Sequence, residues 1–239
     1  MSSHLYRATG VVLRTYRLGE ADRIVVILTE HHGKVRAVAK GVRKTTSRFG
    51  ARLEPMSHVR LLLYRGRELD IVSLVDAVES LAPLVGDLDH MTNGMAVLEA
   101  IDQMTLDREP APHLYRMLVG ALRTIAERSG PLVVPSFYWK LLAAEGVRPQ
   151  LDACVRCGEP EPLVAFDLDE GGVLCRTCRS WTAISTDALG LMRLVLGGRL
   201  NDALAVPASP ATHEVSTLAT RALEHHIERR LRTVAMFER

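Results

Sequence analysis

Two hydrophobic patterns divide the chain near residue 80. Before that point, short apolar segments are separated by Gly-containing turns, and no helical segment lies between them; the segments are TGVVLRTYRL (9–18), RIVVILTE (23–30), GKVRAVAKG (33–41), HVRLLLYRG (58–66) and LDIVSLVDAVES (69–80). Alternation and β-branched residues are typical of strands. Four to five strands in about 80 residues predict a small closed barrel. In GKVRAVAKG, Val35, Ala37 and Ala39 are expected inside, and Lys34, Arg36 and Lys40 outside.

After Pro83 the apolar residues recur every three or four positions, which predicts amphipathic helices. The helical segments are MTNGMAVLEAIDQMTL (91–106), HLYRMLVGALRTIAERS (113–129), PSFYWKLLAAEGV (135–147) and STDALGLMRLVLGG (185–198). The tail HEVSTLATRALEHHIERRLRTVAMF (213–237) predicts one long terminal helix. The fold class is therefore α+β with two domains: a β-barrel over 1–80 and a helical domain over 81–239.

Four cysteines lie between the helical segments. Cys154 and Cys157 form one C-x-x-C pair, Cys175 and Cys178 form another, and 17 residues separate the pairs. Two such turns supply four thiolates for one tetrahedral Zn²⁺, and four protein ligands leave no open position for catalysis. The segment LVAFDLDEGGVL between the pairs resembles a β-hairpin. We predict one structural Zn²⁺ in a ribbon at about residues 150–182; unligated or redox-active cysteines and another metal are the alternatives.

Charge is distributed unevenly along the chain. The net charge is +2, yet residues 1–67 carry 14 Lys and Arg against four acidic residues, so the remainder is net negative. The segment AKGVRKTTSRFGARLEP (39–55) has five basic residues and no acid before Glu54. A basic half indicates a polyanion partner. The alternatives are an ordinary fluctuation of surface charge and a solvated loop without function. Arg156, Arg176 and Arg179 beside the cysteines either contact phosphate or offset the thiolate charge, and we favour the second role.

Several classes of protein are disfavoured. No apolar run reaches the roughly 18 residues of a membrane span, and MSSHLYRATG lacks the pattern of a signal peptide,; we expect a cytoplasmic, nucleoid-associated protein. Phosphate-loop, G-x-S-x-G and H-E-x-x-H motifs are absent,. The acidic residues Asp87, Asp89, Glu99 and Asp102 are expected on helix surfaces or as caps. We therefore predict that the protein is not an enzyme, although pattern alone leaves a carboxylate-dependent nuclease open.

The order of these features resembles the RecO family of bacterial DNA-repair proteins. The resemblance is carried by YRATGVVLRTYRLGEADRIVVILTEHHGKVRAVAKGVRKTTSRFGARLEPMSHVRLLLYRGRELDIV (6–72) and extends over essentially the whole chain, with the cysteines indicating the metal-binding branch. It implies an N-terminal OB-fold barrel and a helical domain with an embedded zinc knuckle. It also implies binding of single- and double-stranded DNA, annealing of complementary strands and, with RecR, loading of RecA onto DNA coated by single-strand binding protein (SSB).

Candidate DNA contacts follow from the basic segments. Aromatic residues are few in the barrel, so we expect phosphate contacts to dominate and sequence preference to be weak. The candidates are Arg14, Arg17, Lys34, Arg36, Lys40, Arg43, Lys44, Arg48 and Arg52. An SSB tail is expected in an apolar pocket of the helical domain, with Arg123, Arg128, Arg221 or Arg229 at its rim. The alternative function is an RNA-binding OB and zinc-ribbon protein of translation or transcription.

Overall fold

A computed structural model describes residues 4–44, 47, 49–80, 83–179 and 182–233. The chain forms two compact units, residues 1–127 and 128–239. The first unit is therefore longer than the barrel domain predicted from the sequence, because it includes the helices that follow the barrel. None of the helices in the described ranges is long and apolar enough to cross a bilayer.

The first unit contains a closed five-stranded barrel, which confirms the prediction. The strands are β1 (Leu5–Leu18), β2 (Asp22–Thr29), β3 (Gly33–Ala39), β4 (His58–Tyr64) and β5 (Asp70–Ala77), with a 3₁₀ turn at Gly50–Leu53 before β4. Their order around the barrel is β1-β2-β3-β5-β4, and all neighbours pair antiparallel except β3 and β5, which pair parallel. Val35, Ala37 and Ala39 are buried in the barrel core, as their alternation predicts.

Three helices complete the first unit: α1 (Pro83–Gly86), α2 (Leu88–Met104) and α3 (Pro112–Glu127). Asp87 caps α2 by accepting a hydrogen bond from the His90 N–H, as expected of a cap,. Both α2 and α3 contact the barrel strands. The α2–α3 connection lies so close to β3 that a Cβ at Gly33, whose φ is +66°, would be 2.2 Å from the Glu109 carbonyl oxygen. Only glycine fits there.

The second unit combines helices with a small sheet. Strands β6 (Leu163–Asp167) and β7 (Gly172–Cys175) form the predicted hairpin, and β8 (Thr182–Ala183) pairs with β6. The ring of Phe166 lies 5.8 Å from that of Trp139, so the hairpin packs on α4. The helices are α4 (Val133–Ala144), α5 (Thr186–Leu196), α6 (Leu200–Leu204) and α7 (Pro210–His226).

The terminal helix is shorter than the sequence pattern predicts, since α7 ends at His226 rather than near residue 237. Glu228 takes a left-handed conformation (φ +52°), and the Arg229 N–H donates to the Glu224 carbonyl while the Glu228 N–H donates to the His225 carbonyl. These two bonds form a Schellman cap, which terminates a helix. The sequence pattern does not predict this cap, because glycine usually occupies the left-handed position of a helix cap and here the residue is Glu228,.

Candidate metal centre and nucleic-acid surface

The four cysteines converge at one end of the β6–β7 hairpin. One ligand atom from each lies within 4.8 Å of every other, and the sulfurs of Cys157 and Cys175 are 3.6 Å apart. Gly158, with φ +78°, donates its N–H to the Cys154 carbonyl and tightens the first turn. The antiparallel pairing of β6 with β7 brings the second pair of cysteines to the first.

The donor set fits zinc. With Zn–S bonds of about 2.3 Å, tetrahedral ligands are about 3.8 Å apart, which is near the spacing of these sulfurs. Cys154 and Cys175 are buried, whereas Cys178 is half-buried and Cys157 exposed. Four thiolates fill a tetrahedral shell, so this cluster can hold a metal ion in a structural role.

The pKa values of the cysteines in the cluster are shifted in different directions. Burial raises the pKa of Cys154, but backbone N–H groups of Cys175, Cys157 and Arg156 donate to its sulfur and bring the pKa down to about 6. The backbone N–H of Cys178 likewise lowers the pKa of Cys175. The pKa of Cys178 is raised to about 12, first by its hydrogen bond with Cys157 and then by burial. Backbone donors therefore favour thiolate at two sulfurs, and a cation would favour it at all four.

Arg156 connects the first cysteine pair to the hairpin. Its guanidinium donates to Glu170 Oε1 (2.7 Å), Asp167 Oδ2 (3.1 Å) and the Cys178 carbonyl (3.1 Å). The guanidinium thus pairs with two carboxylates and a backbone carbonyl of the ribbon, whereas the role favoured from the sequence, to offset the thiolate charge, stays a prediction. Arg176 and Arg179 are exposed, as is Arg156.

In the first unit, the β1–β2 turn and the segment after β3 are hydrogen-bonded to each other, and together they carry basic side chains at one end of strands β1, β2 and β3. The Gly41 N–H donates to Asp22 Oδ1 (2.7 Å), and the Arg43 N–H donates to the Ala21 carbonyl (3.0 Å). The segment after β3 is thereby fixed to the β1–β2 turn. We call the exposed cations grouped there the basic end; they are Arg17, Lys40, Arg43 and Lys44.

One guanidinium of the basic end is held by the backbone. Arg43 Nη1 donates to the Glu20 carbonyl at 2.9 Å, which fixes the side chain against the β1–β2 turn. A guanidinium has five N–H donors, so others remain for a phosphate.

Three other predicted contacts are exposed, and one lies outside the described residues. Arg14 pairs with Asp102 Oδ2 at 2.9 Å and lies 5.3 Å from the centroid of the Tyr16 ring. Arg36 is on the same side of the sheet as Arg14, with Val26 of β2 between the two residues in the strand register. Arg52 is in the 3₁₀ turn. Arg48 lies outside the described residues.

The structure places Lys34 away from solvent, contrary to its selection as a DNA contact. The residue is 8 % exposed, and its Nζ donates to the Asp102 carbonyl (2.7 Å) and to Asp102 Oδ1 (3.1 Å). A buried ammonium held by a carboxylate is committed to that partner. We therefore remove Lys34 from the candidate set.

Asp102 is also buried, so the prediction that it is a helix-surface residue or a cap is wrong. A signal for this exists in the sequence: Asp102 follows Leu98 by four positions and so lies on the apolar face of α2,. An acid at such a position needs a cation, and the barrel supplies Lys34 and Arg14.

The arginines predicted at the rim of a tail-binding pocket line neither of two cavities in the described part of the second unit. One of these, of about 430 Å³, has Trp139 and Phe166 in its wall, and its charged or titratable lining residues are Arg148, Asp169, Glu170, His225 and His226. Arg123 belongs to the first unit and donates to Glu79 at 3.0 Å.

Comparison with protein families agrees with this architecture. Residues 1–81 match the family model described as "Recombination protein O N terminal", and residues 85–235 match "Recombination protein O C terminal". The two matches together cover nearly the whole chain, including the barrel, the helices and the cysteine cluster. The chain therefore belongs to the RecO family, whose members mediate recombination in DNA repair.

Proposed function

We propose that the protein binds single- and double-stranded DNA through the basic end and anneals complementary strands. The observation that carries this proposal is the grouping of Arg17, Lys40, Arg43 and Lys44 by hydrogen bonds between the β1–β2 turn and the segment after β3. A positive surface on an OB barrel is a known platform for nucleic-acid strands. Contacts to phosphate carry no sequence information, so one surface suits both single strands and duplex.

The same proposal includes the partners and the metal. With RecR, the protein would promote loading of RecA onto DNA coated by SSB, and four thiolates would hold one structural Zn²⁺. Membership of the RecO family supports the partners, and the donor set supports zinc. The protein would perform no bond-breaking chemistry itself. Binding assays with purified RecR and SSB test the partners directly.

Salt dependence of DNA binding tests the basic end. Each phosphate contact releases counterions, so log affinity for single strands falls with log salt by about 0.7 per contact. Arg43→Ala with Lys44→Ala is expected to reduce this slope by about 1.4, to weaken all sequences alike and to slow annealing. Fluorescence anisotropy titrations at several salt concentrations measure the slopes.

The matched control is Arg116→Ala with Arg221→Ala, which removes two exposed arginines from helices. It should leave the slope unchanged. Metal content and thermal unfolding should match the wild type in both variants. Superimposed salt lines for the wild type and the Arg43/Lys44 variant would show that the basic end is not the binding surface.

A further inference from the structure

A second exposed surface on the barrel is made by the outer side of β1, β4 and β5. The register places Arg7 opposite Leu62 and Leu62 opposite Leu74, while Thr9 lies opposite Arg60. Tyr64 continues the same side of β4. We call this surface, defined by Arg7, Arg60, Leu62, Tyr64 and Leu74, the second face. Together with the β2–β3 turn, most of it borders a groove of about 740 Å³.

A β-bulge in β1 brings Arg14 to the outer side of the barrel. The register shifts between Val12 and Arg14, where one extra residue is inserted. The outward positions are therefore odd before the bulge, as at Arg7, and even after it, as at Arg14 and Tyr16. Arg7 pairs in register with β4 and Arg14 with β2, so the two arginines point outward beside different neighbouring strands of the one closed barrel,.

The second face has uncommitted positive charge. Arg7 and Arg60 are exposed, and within the described part of the chain neither side chain forms an ion pair or a hydrogen bond. Arg60 lies opposite Asp76 in the register, yet the two side chains do not form an ion pair. Two unpaired guanidinium groups separated by a leucine can contact successive phosphates of an extended strand.

An exposed aromatic ring accompanies these charges. Tyr64 is 43 % exposed and stacks on His4, with centroids 5.4 Å apart and an interplanar angle of 30°. Of the other barrel aromatics, Phe49 is buried, and Tyr6 is half-buried with its hydroxyl bonded to Asp70. Tyr16, 44 % exposed, lies instead beside Arg14, whose guanidinium is 5.3 Å from the centroid of the ring. Tyr64 thus gives the second face a ring on which a base can stack.

From these features we propose that the second face binds a second single strand of nucleic acid while the basic end holds the first. This inference rests on the proposed function, since annealing needs two strands to be held together. The acidic residues Glu30 and Asp76 also line the groove. Their charge opposes phosphate, so the second strand binds more weakly than the first.

Counting bound strands tests the proposal on the full-length protein. The probe is an oligothymidine of about 10 nucleotides, a length within the range that one OB barrel covers and one that cannot pair with itself. At low salt, fluorescence titration and sedimentation should give two strands per wild-type chain, one per Arg7→Ala/Arg60→Ala chain and one per Arg43→Ala/Lys44→Ala chain. The Arg116→Ala/Arg221→Ala control should still bind two.

Substitutions of Tyr64 separate base stacking from charge. Tyr64→Ala is expected to weaken the second strand by about 5- to 150-fold, as loss of one stacked base implies, and Tyr64→Phe should preserve its affinity. Circular dichroism melting verifies that each variant is folded. If Arg7→Ala/Arg60→Ala is not folded, Arg7→Gln/Arg60→Gln replaces it, because this variant removes the charges but retains polar side chains.

The possible outcomes distinguish the hypotheses. One strand per wild-type chain, or two strands per Arg7/Arg60 variant, overturns the second strand site and leaves the second face as a surface for a protein partner. No strand bound to the wild type would instead contradict the proposed function itself.

Discussion

Lys34 and Asp102 show how a single contact changes the role of a residue. Both side chains are buried, and Asp102 also pairs with Arg14. Asp102→Ala is expected to lower the free energy of unfolding by about 3–5 kcal/mol, because it leaves the buried Lys34 ammonium with Asp107 alone, an exposed carboxylate whose Oδ1 is 4.0 Å away,. Lys34→Met should lower the free energy of unfolding by a smaller amount, since Asp102 keeps Arg14 as a partner. Urea denaturation of the two variants measures the difference.

DNA binding separates this structural role from a role in recognition. Lys34→Met should bind single strands with the affinity and salt slope of the wild type, because its ammonium faces Asp102 rather than solvent. Equal destabilisation by Asp102→Ala and Lys34→Met, or a reduced salt slope in Lys34→Met, would contradict this assignment.

The ribbon is the element for which we predict a stabilising metal ion. The two cysteine turns are held together by the short β6–β7 hairpin and by Arg156. Elemental analysis of protein purified without chelator should find about one zinc per chain. Cys157→Ser should lose the metal and lower the unfolding temperature, because metal binding is coupled to local folding. Arg179→Ala, a change at an exposed residue beside the second cysteine turn, should retain the zinc. Wild-type protein without zinc would contradict the assignment.

For the whole molecule, the barrel depends on the helices that follow it. Val11, Val26 and Leu28 have no exposed surface and do not belong to the barrel core cluster, while α2 and α3 contact β1. His58 of β4 also contacts the Tyr115 hydroxyl of α3, 2.7 Å away.

A fragment of residues 1–127 should therefore unfold cooperatively, whereas residues 1–80 should be much less stable or aggregate because these apolar side chains would meet water. Circular dichroism melting and dispersed amide NMR spectra measure this, and a stable 1–80 fragment would contradict it.

The sequence by itself determined the features that depend on local periodicity and spacing. Alternation in GKVRAVAKG identified the buried face of β3, and the two C-x-x-C pairs identified four cysteines that come close enough to hold a metal ion, because a tight turn brings sulfurs together whatever surrounds it,. The main helices were predicted for the same reason: an apolar stripe every three to four residues needs no knowledge of its partner.

Only the tertiary structure decided what each charged residue does. Lys34 and Lys40 look alike in the sequence, yet α2 covers the first with Asp102 while the second remains exposed. The bulge in β1 and the bonds from the 41–44 segment to the β1–β2 turn decide which arginines share a surface. Such groupings are made by strand register and by helices distant in the chain, so no local pattern can encode them; burial, and with it the cost of an unpaired charge, exists only once the chain has folded.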